Sequence, residues 1–355
     1  RIVVNNAVKR QLTDSGAAIA ALGYDDGDEV QRLLDRAEQT LHAVARRNRG
    51  PSFVPIHDIL TPTLDRMNAL QERGETVTGL STGFPDLDEL TTGLHPSDFI
   101  ILAARPSMGK TALALNIVQH VALRGAKDGE DAKRVAFFSL EMSRDQLVQR
   151  MLCTEADAGL QANATQSEAE TNARWDRLWN AAAQLDEARI YIDDTPGLSI
   201  LDVRSRARRL QAEDGLDFIV IDYLQLMQGT AGRKNNDNRQ QEVTEISRGL
   251  KSLARELGVP VLALSQLSRS VETRQCKQPM LSDLRESGSL EQDADIVMFL
   301  YREDYYKSAD DTPSHITELI VAKHRNGPTG RVTLFFKEDC TKFISLTRRR
   351  KHSHA

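Results

Sequence analysis

Four short segments carry residues able to do chemistry together. Ala104-Arg-Pro-Ser-Met-Gly-Lys-Thr111 puts a glycine, a lysine and a hydroxyl at the start of a helical pattern bearing Leu113, Leu115, Ile117 and Val118. The apolar run Phe99 to Ala104 precedes it, so the order is strand, loop, helix, which is the setting a phosphate-binding P-loop needs. Backbone N–H groups over Ser107, Gly109 and Ala112, with the helix N-terminus, then cradle phosphates, while Lys110 reaches the β/γ oxygens and the Thr111 hydroxyl takes Mg²⁺. One residue departs from the usual pattern. Ala104 stands where its first glycine normally is, and alanine tolerates a positive φ less well.

A P-loop needs an acidic partner at the end of a neighbouring apolar strand. Phe218-Ile-Val-Ile-Asp222 supplies one, and a buried strand ending in an aspartate without such a duty carries a desolvation cost. Glu141 follows another apolar run, Val135 to Leu140, so it projects from the same sheet edge and suits a general base that polarises water. The same glutamate would also suit the cap or first turn of a helix beginning near Ser143. Gln266, after Val261 to Ser265, stands where an uncharged amide could sense a γ-phosphate by hydrogen bond without competing for the proton; the alternative is a satisfied loop residue.

The elements that must position these groups follow from periodicity. Strand-sized runs at Phe99 to Ala104, Val135 to Ser139, Arg189 to Asp193, Phe218 to Asp222, Pro260 to Ser265 and Ile296 to Tyr301 alternate with amphipathic stretches. Continuous apolar strands separated by helices predict a mostly parallel sheet covered on both faces. Three close runs, Glu318 to Lys323, Arg331 to Phe336 and Lys342 to Leu346, predict an antiparallel C-terminal edge. Upstream, Val4, Val8 and Leu12 mark one helix and Val30, Leu33, Leu34, Ala37, Leu41 and Val44 a second, with a turn at Gly23 to Gly27. Arg46 to Pro55 has linker chemistry, and Ile56, Ile59, Leu60, Leu64, Met67 and Leu70 then recur at helical spacing. Pro62 either opens that helix behind Thr61 as N-cap or kinks a longer one.

Composition removes several function classes. The 355 residues, 40% hydrophobic and 27% charged, allow a large core and exclude a disulfide-stapled miniprotein. No run approaches the ~18 uncharged apolar residues of a membrane span. Cys153, Cys276 and Cys340 are far apart with no CxxC pair, which points to a reducing compartment, the cytoplasm, and away from structural zinc. With 46 basic and 51 acidic residues the net charge is −5, so nucleic-acid contact must come from a local patch. The start at Arg1, inside an amphipathic pattern, reads as a fragment or processed chain. Arg204, Arg206, Arg208 and Arg209 surround Val203, Ala207 and Leu210, a pattern better read as a solvated helix face.

Taken together, Thr82-Gly-Phe-Pro-Asp-Leu-Asp88, Ala103 to Thr111, Ser139-Leu-Glu-Met-Ser143, Val203 to Arg209, Ile221-Asp-Tyr-Leu-Gln-Leu-Met227, Leu264 to Arg269, Ser282 to Asp295 and Lys323-His-Arg-Asn-Gly-Pro328 resemble one family. It is the DnaB-type hexameric replicative DNA helicases of bacteria, built on a RecA-like ATPase core, and the likeness covers nearly the whole chain. Ala104 is typical of that family. The resemblance implies an α/β fold: a RecA-like P-loop NTPase domain over residues 77–348, preceded by a helical remnant at 1–50 and a linker helix at 51–76 that docks on a neighbouring subunit, and followed by a basic tail at 349–355.

By the same resemblance, Lys110 and Thr111 bind ATP and Mg²⁺, Glu141 activates water, Asp222 supports the metal and Gln266 senses the γ-phosphate. Lys323 and Arg325 are similar to a pair that reaches a neighbouring subunit's ATP as an arginine finger; alone, they read as a solvated basic strand end. As alternate strand residues they share a side. Arg150 looks like a further nucleotide contact. Arg285, Glu286 and Gly288 match a loop that follows DNA phosphates with its backbone N–H groups. Two other polar segments, 229–239 and 269–277, either face DNA or are solvated loops. The implied activity is ATP-driven 5′ to 3′ translocation on single-stranded DNA by a homohexamer, with primase and a helicase loader as partners and no membrane. A RecA-like recombinase and a nucleotide-gated scaffold are the rival readings.

Overall fold

The computed structural model describes residues 2–24, helical positions 33, 36, 37 and 40, and residues 55–72, 77–124, 132–159, 168–228, 237–306 and 313–346. The second expected helix is thus described at four positions only, and 229–236 and the tail 349–355 lie outside the described residues. The chain divides into two compact units, Arg1–Gly74 and Glu75–Ala355.

In the first unit, helix α1 spans Ile2–Leu22 and α2 spans Ile56–Glu72. The longer-helix alternative at Pro62 is the one observed: α2 starts at Ile56, where Asp58 N donates to Pro55 O at 3.1 Å, and it continues through Pro62. Ile56, Ile59, Leu60 and Leu64 of α2 are exposed, between 48% and 74%.

The second unit is built on one nine-stranded sheet in the order β3-β2-β4-β5-β1-β6-β7-β8-β9. Its parallel part comprises β1 (Phe99–Ala104), β2 (Val135–Ser139), β3 (Ile190–Asp193), β4 (Phe218–Asp222), β5 (Val261–Gln266) and β6 (Ile296–Tyr301). The strands β7 (Ile316–His324), β8 (Gly330–Lys337) and β9 (Lys342–Ser345) continue it antiparallel. Each sequence-predicted strand is present with bounds shifted by a residue or two, the usual uncertainty of ladder ends.

Why the central strands carry no polar alternation is visible in β1. Ile100, Leu102 and Ala104 belong to one core with Leu113, Ile117 and Val121 of helix α4 (Lys110–Arg124). Phe99, Ile101 and Ala103 belong to another with Val203 of α7 (Ile200–Glu213) and Ile246, Leu250 and Leu253 of α8 (Asp237–Leu257). Successive side chains point to opposite faces, and both faces are dry. Three further helices complete the unit's main helical set: α3 (Pro85–Thr91), α5 (Arg144–Ala156) and α6 (Glu168–Asp186). A short α9 (Gly288–Asp293) leads into β6.

Two expectations about basic residues need correction. Arg204 and Arg208 do not form a solvated face: both pair with Glu256 of α8, and all three are largely buried. Arg206 pairs with Asp193 and Arg209 with Glu213. The segment 269–277 is not a free loop either, because Arg269–Thr273 forms a 3-10 turn with Val271 fully buried, and Arg274 binds Asp283 at 2.5 Å.

Candidate active site

The carboxyl ends of β1, β2, β4 and β5 lie side by side, where open α/β sheets take their ligands. Register fixes the neighbours: Ala104 pairs with Gln266, and Ser139 with Asp222. Ala104 is simply the last residue of β1 and has no positive φ; the left-handed positions of the loop are Ser107 at 64° and Gly109 at 93°. Glycine is required at 109 twice over, since a Cβ there would also stand 2.9 Å from the Phe343 ring. Helix α4 then starts at Lys110, aiming its free N–H groups into the loop.

A cleft of about 600 Å³ opens over this loop. Ser107, Gly109, Lys110, Thr111, Ala112, Glu141, Arg150 and Gln266 all line it, as expected from sequence. Asp222, fully buried beside it, accepts from the Thr111 hydroxyl at 2.7 Å and has its Oδ1 3.4 Å from Lys110 Nζ. Burial pushes the Lys110 pKa down, and the carboxylates of Asp222 and Glu141 pull it partly back. Lys110 Nζ also sits 4.4 Å from the centre of the Tyr223 ring. Glu141 is exposed at the mouth of the cleft. The capping alternative for it is closed, because Ser143 and Gln146 form the capping box of α5 between themselves.

The residues present fit a divalent cation. Asp222 Oδ1 is a buried carboxylate oxygen with no hydrogen-bond donor, and it lies next to the Thr111 hydroxyl. Among the described residues no group of three or more His, Cys, Asp or Glu side chains gathers, so the remaining ligands would be phosphate and water oxygens, the pattern Mg²⁺ adopts at nucleotide sites.

Lys323 and Arg325 are elsewhere. Lys323 Nζ donates to the carbonyls of Glu291 at 2.5 Å and Ala294 at 2.8 Å, and Arg325 binds the carbonyl of Gln292, so both grip the carboxyl end of α9. Arg325 Nη1 is also 3.8 Å from Asp295 Oδ1. Burial and the charge of Arg325 lower the Lys323 pKa. Arg285 and Glu286 fall on a 3-10 stretch, Leu281–Ser287, and Gly288 opens α9, so this segment is helical rather than an extended loop.

Several cleft residues escaped the sequence reading. Met142 and Gln146 come from the β2–α5 connection, and Phe336 and Thr341 from the β8–β9 hairpin. Asn116 of α4 ties that hairpin down, its Oδ1 accepting from Phe343 N at 2.7 Å. Arg105, inside the loop, points away from the phosphates to Leu267 O at 2.8 Å and Glu272 at 2.9 Å. Gln225 binds the backbone of Gln266. Only Gln225 lay within a quoted motif, and its local sequence offers no chemical signal.

A sheet of this order with a phosphate cradle, an acidic strand end and a polar amide on the adjoining strand defines the class: a RecA-like P-loop ATPase. The chain matches the model of the DnaB-like helicase C terminal domain over residues 79–345. It is 52% identical over 349 residues to the replicative DNA helicase DnaB of Geobacillus stearothermophilus, covering 98% of this chain and 74% of that relative. With the replicative DNA helicase DnaC of Bacillus subtilis (strain 168) it shares 50% over 349 residues, with the same coverage of 98% and 74%. Among solved structures, one described as a DnaB-like replicative helicase and its interactions with primase aligns at a TM-score of 0.80 and 34% identity, over 98% of this chain and 78% of that one. A second, an ATPase domain solved by itself, gives 0.74 and 38%, over 83% of this chain and 100% of that one. The chain belongs to the DnaB-like replicative helicase family, and its activity is that of an ATP-dependent DNA helicase.

Proposed function

We propose that this chain works as one subunit of a homohexameric ring, hydrolysing ATP between adjacent subunits and moving 5′ to 3′ along single-stranded DNA. In each site Ser107, Gly109 and Ala112 offer backbone N–H groups to the phosphates, and Lys110 neutralises the β/γ oxygens. Thr111 and Asp222 hold Mg²⁺, which when bound offsets charge on the phosphate oxygens. Glu141 takes the proton of the attacking water. Gln266 donates its amide N–H to the γ-phosphate, and Arg150 contacts the nucleotide. Lys323 and Arg325 serve the neighbouring subunit's ATP.

One observation supports the trans arrangement most directly. Arg325 N donates to Asp295 O, and Asp295 N to Phe99 O, so Arg325 stands at the first residue of β1, whereas the phosphate loop begins at the last. Five residues at about 3.3 Å each separate the two levels by roughly 16 Å along the strand. Both cations lie at the wrong edge of the sheet for their own site.

DNA is read here as held by Arg285, Glu286 and Gly288. The exposed apolar residues of α2 are in keeping with the linker segment 51–76 docking on an adjacent subunit, with 1–50 as the remnant of a helical N-terminal region. Primase and a helicase loader are the proposed protein partners; the solved relative described with primase supports the first. The test is the ATPase rate across protein concentration, with and without single-stranded DNA, alongside mass by light scattering. A rate per subunit that climbs with assembly and again with DNA is expected. A concentration-independent rate from a monomer, unaffected by DNA, would overturn the ring mechanism.

A further inference from the structure

The β4–β5 ladder stops early. Its last pair is Ile221 with Ala263, because β4 ends at Asp222 and turns away. Ser265 and Gln266 therefore finish β5 with a strand on one side only, where Ala103 and Ala104 of β1 face them. On the open side stands Gln225, in the 3-10 turn Leu224–Leu226.

Its side-chain amide is used through both ends. Nε2 donates to Ser265 Oγ at 2.9 Å and to Gln266 O at 3.1 Å, while Oε1 accepts from Gln266 N at 3.2 Å. An amide paired by donor and acceptor with a strand backbone reproduces one rung of a β ladder. The orientation is determined, since Gln266 N needs an acceptor and Gln266 O a donor. Leu224, fully buried, pins the turn. From the other flank Leu267 N donates to Ala104 O at 3.0 Å, and Arg105 Nη1 to Leu267 O at 2.8 Å. The backbone of Gln266 is held on both sides, three residues of chain from Gln225 to Asp222 linking that hold to the acidic strand end.

We infer that Gln225 is a positioning residue for ATP hydrolysis: its side-chain amide extends the β4–β5 pairing past Asp222 and fixes the backbone of Gln266, so that the Gln266 amide meets the γ-phosphate. This rests on the reading of Gln266 as the phosphate sensor. Gln225 touches neither the loop nor the cleft lining, so its loss leaves phosphate binding in place and affects the step that depends on sensor geometry. A misplacement of about 1 Å in such a group costs up to about a hundredfold in rate.

The experiment compares Gln225→Ala, Gln225→Met, Gln266→Ala and the Gln225→Met/Gln266→Ala double variant in the assembled protein. Steady-state kinetics with single-stranded DNA are measured, together with ADP affinity by titration calorimetry. Gln225→Met fills the same space without hydrogen bonds and serves if the alanine variant unfolds. The expected result is a kcat lower by about tenfold to a hundredfold, with KM and ADP affinity within about twofold of the unaltered chain. The double variant should be no slower than Gln266→Ala, because one residue acts through the other. A kcat for Gln225→Met within twofold of normal while Gln266→Ala is impaired would overturn the positioning role alone, as would additive losses or a parallel fall in ADP affinity. Normal turnover by Gln266→Ala would overturn the sensor reading and this inference with it.

Discussion

The two edges of the parallel sheet use their charged side chains in opposite ways. At the carboxyl edge, Lys110, Thr111, Asp222, Glu141 and Gln266 converge on one cleft, and the buried Asp222 Oδ1 is left without a donor. At the amino edge, Lys323 and Arg325 are occupied with main-chain carbonyls of α9, where they do what a lysine or arginine commonly does at a helix carboxyl end. The first edge is a site short of a cation to stabilise the transition state from the far side. The second is a pair of cations with no phosphate in reach. One chain thus carries two incomplete halves, and the proposed ring joins them.

The largest effect should come from separating the halves. Arg325→Ala is expected to lower DNA-stimulated turnover by about 10³-fold or more, the contribution of an arginine finger. Lys110→Ala should abolish turnover as well. Mixed assemblies of the two variants then decide the geometry: a finger acting in trans lets the intact Lys110 of one subunit meet the intact Arg325 of the other, and activity returns. If the mixture stays as inactive as its components, the two edges do not meet across an interface. Within the carboxyl edge, Glu141→Gln should cost about 10² to 10⁴ in kcat, the range for a general base, while nucleotide affinity is kept. Retention of turnover by that variant would move the base elsewhere in the cleft.

The carboxyl edge was the more legible in sequence, for a physical reason. Its residues sit immediately after fully buried strands, and an apolar run ending in Asp222, Glu141 or Gln266 announces both the element and the side chain it delivers. The amino edge depends on the antiparallel register of β7 against β6, which pairs Val297 with Lys323 and which no local pattern encodes. The hairpin wall of the cleft, Phe336 and Thr341, lies more than two hundred positions from the loop it faces, so only the folded sheet brings it there. Gln225 shows the same limit at short range. Its partner is the backbone of β5, and backbone partners leave no trace in residue type. Ala104 shows the reverse: its departure from the glycine pattern costs nothing, because the position is ordinary strand.

Arginines elsewhere provide the control for this contrast, and the smallest predicted effect. Arg204 and Arg208 of α7 end on the carboxylate of Glu256, whereas Arg325 ends on carbonyls with Asp295 only at 3.8 Å. Burial pushes the Glu256 pKa up, but the hydrogen bonds from Arg204 and Arg208 outweigh it and hold the group below its ordinary 4.5. A carboxylate depressed in the folded state adds stability that is complete above about pH 4.5 and is lost as pH falls through the folded value. Glu256→Gln should therefore lower unfolding stability by about 1 to 3 kcal/mol at pH 7, the cost of leaving charged donors with a weaker partner. Urea unfolding at pH 7 and again near pH 3.5 checks it: the gap between the unaltered chain and the variant should narrow at the acid end, with kcat unchanged at neutral pH. A variant as inactive as Arg325→Ala would mean that the α7–α8 face also serves turnover, and the division between structural and functional arginines drawn from the two edges would fail.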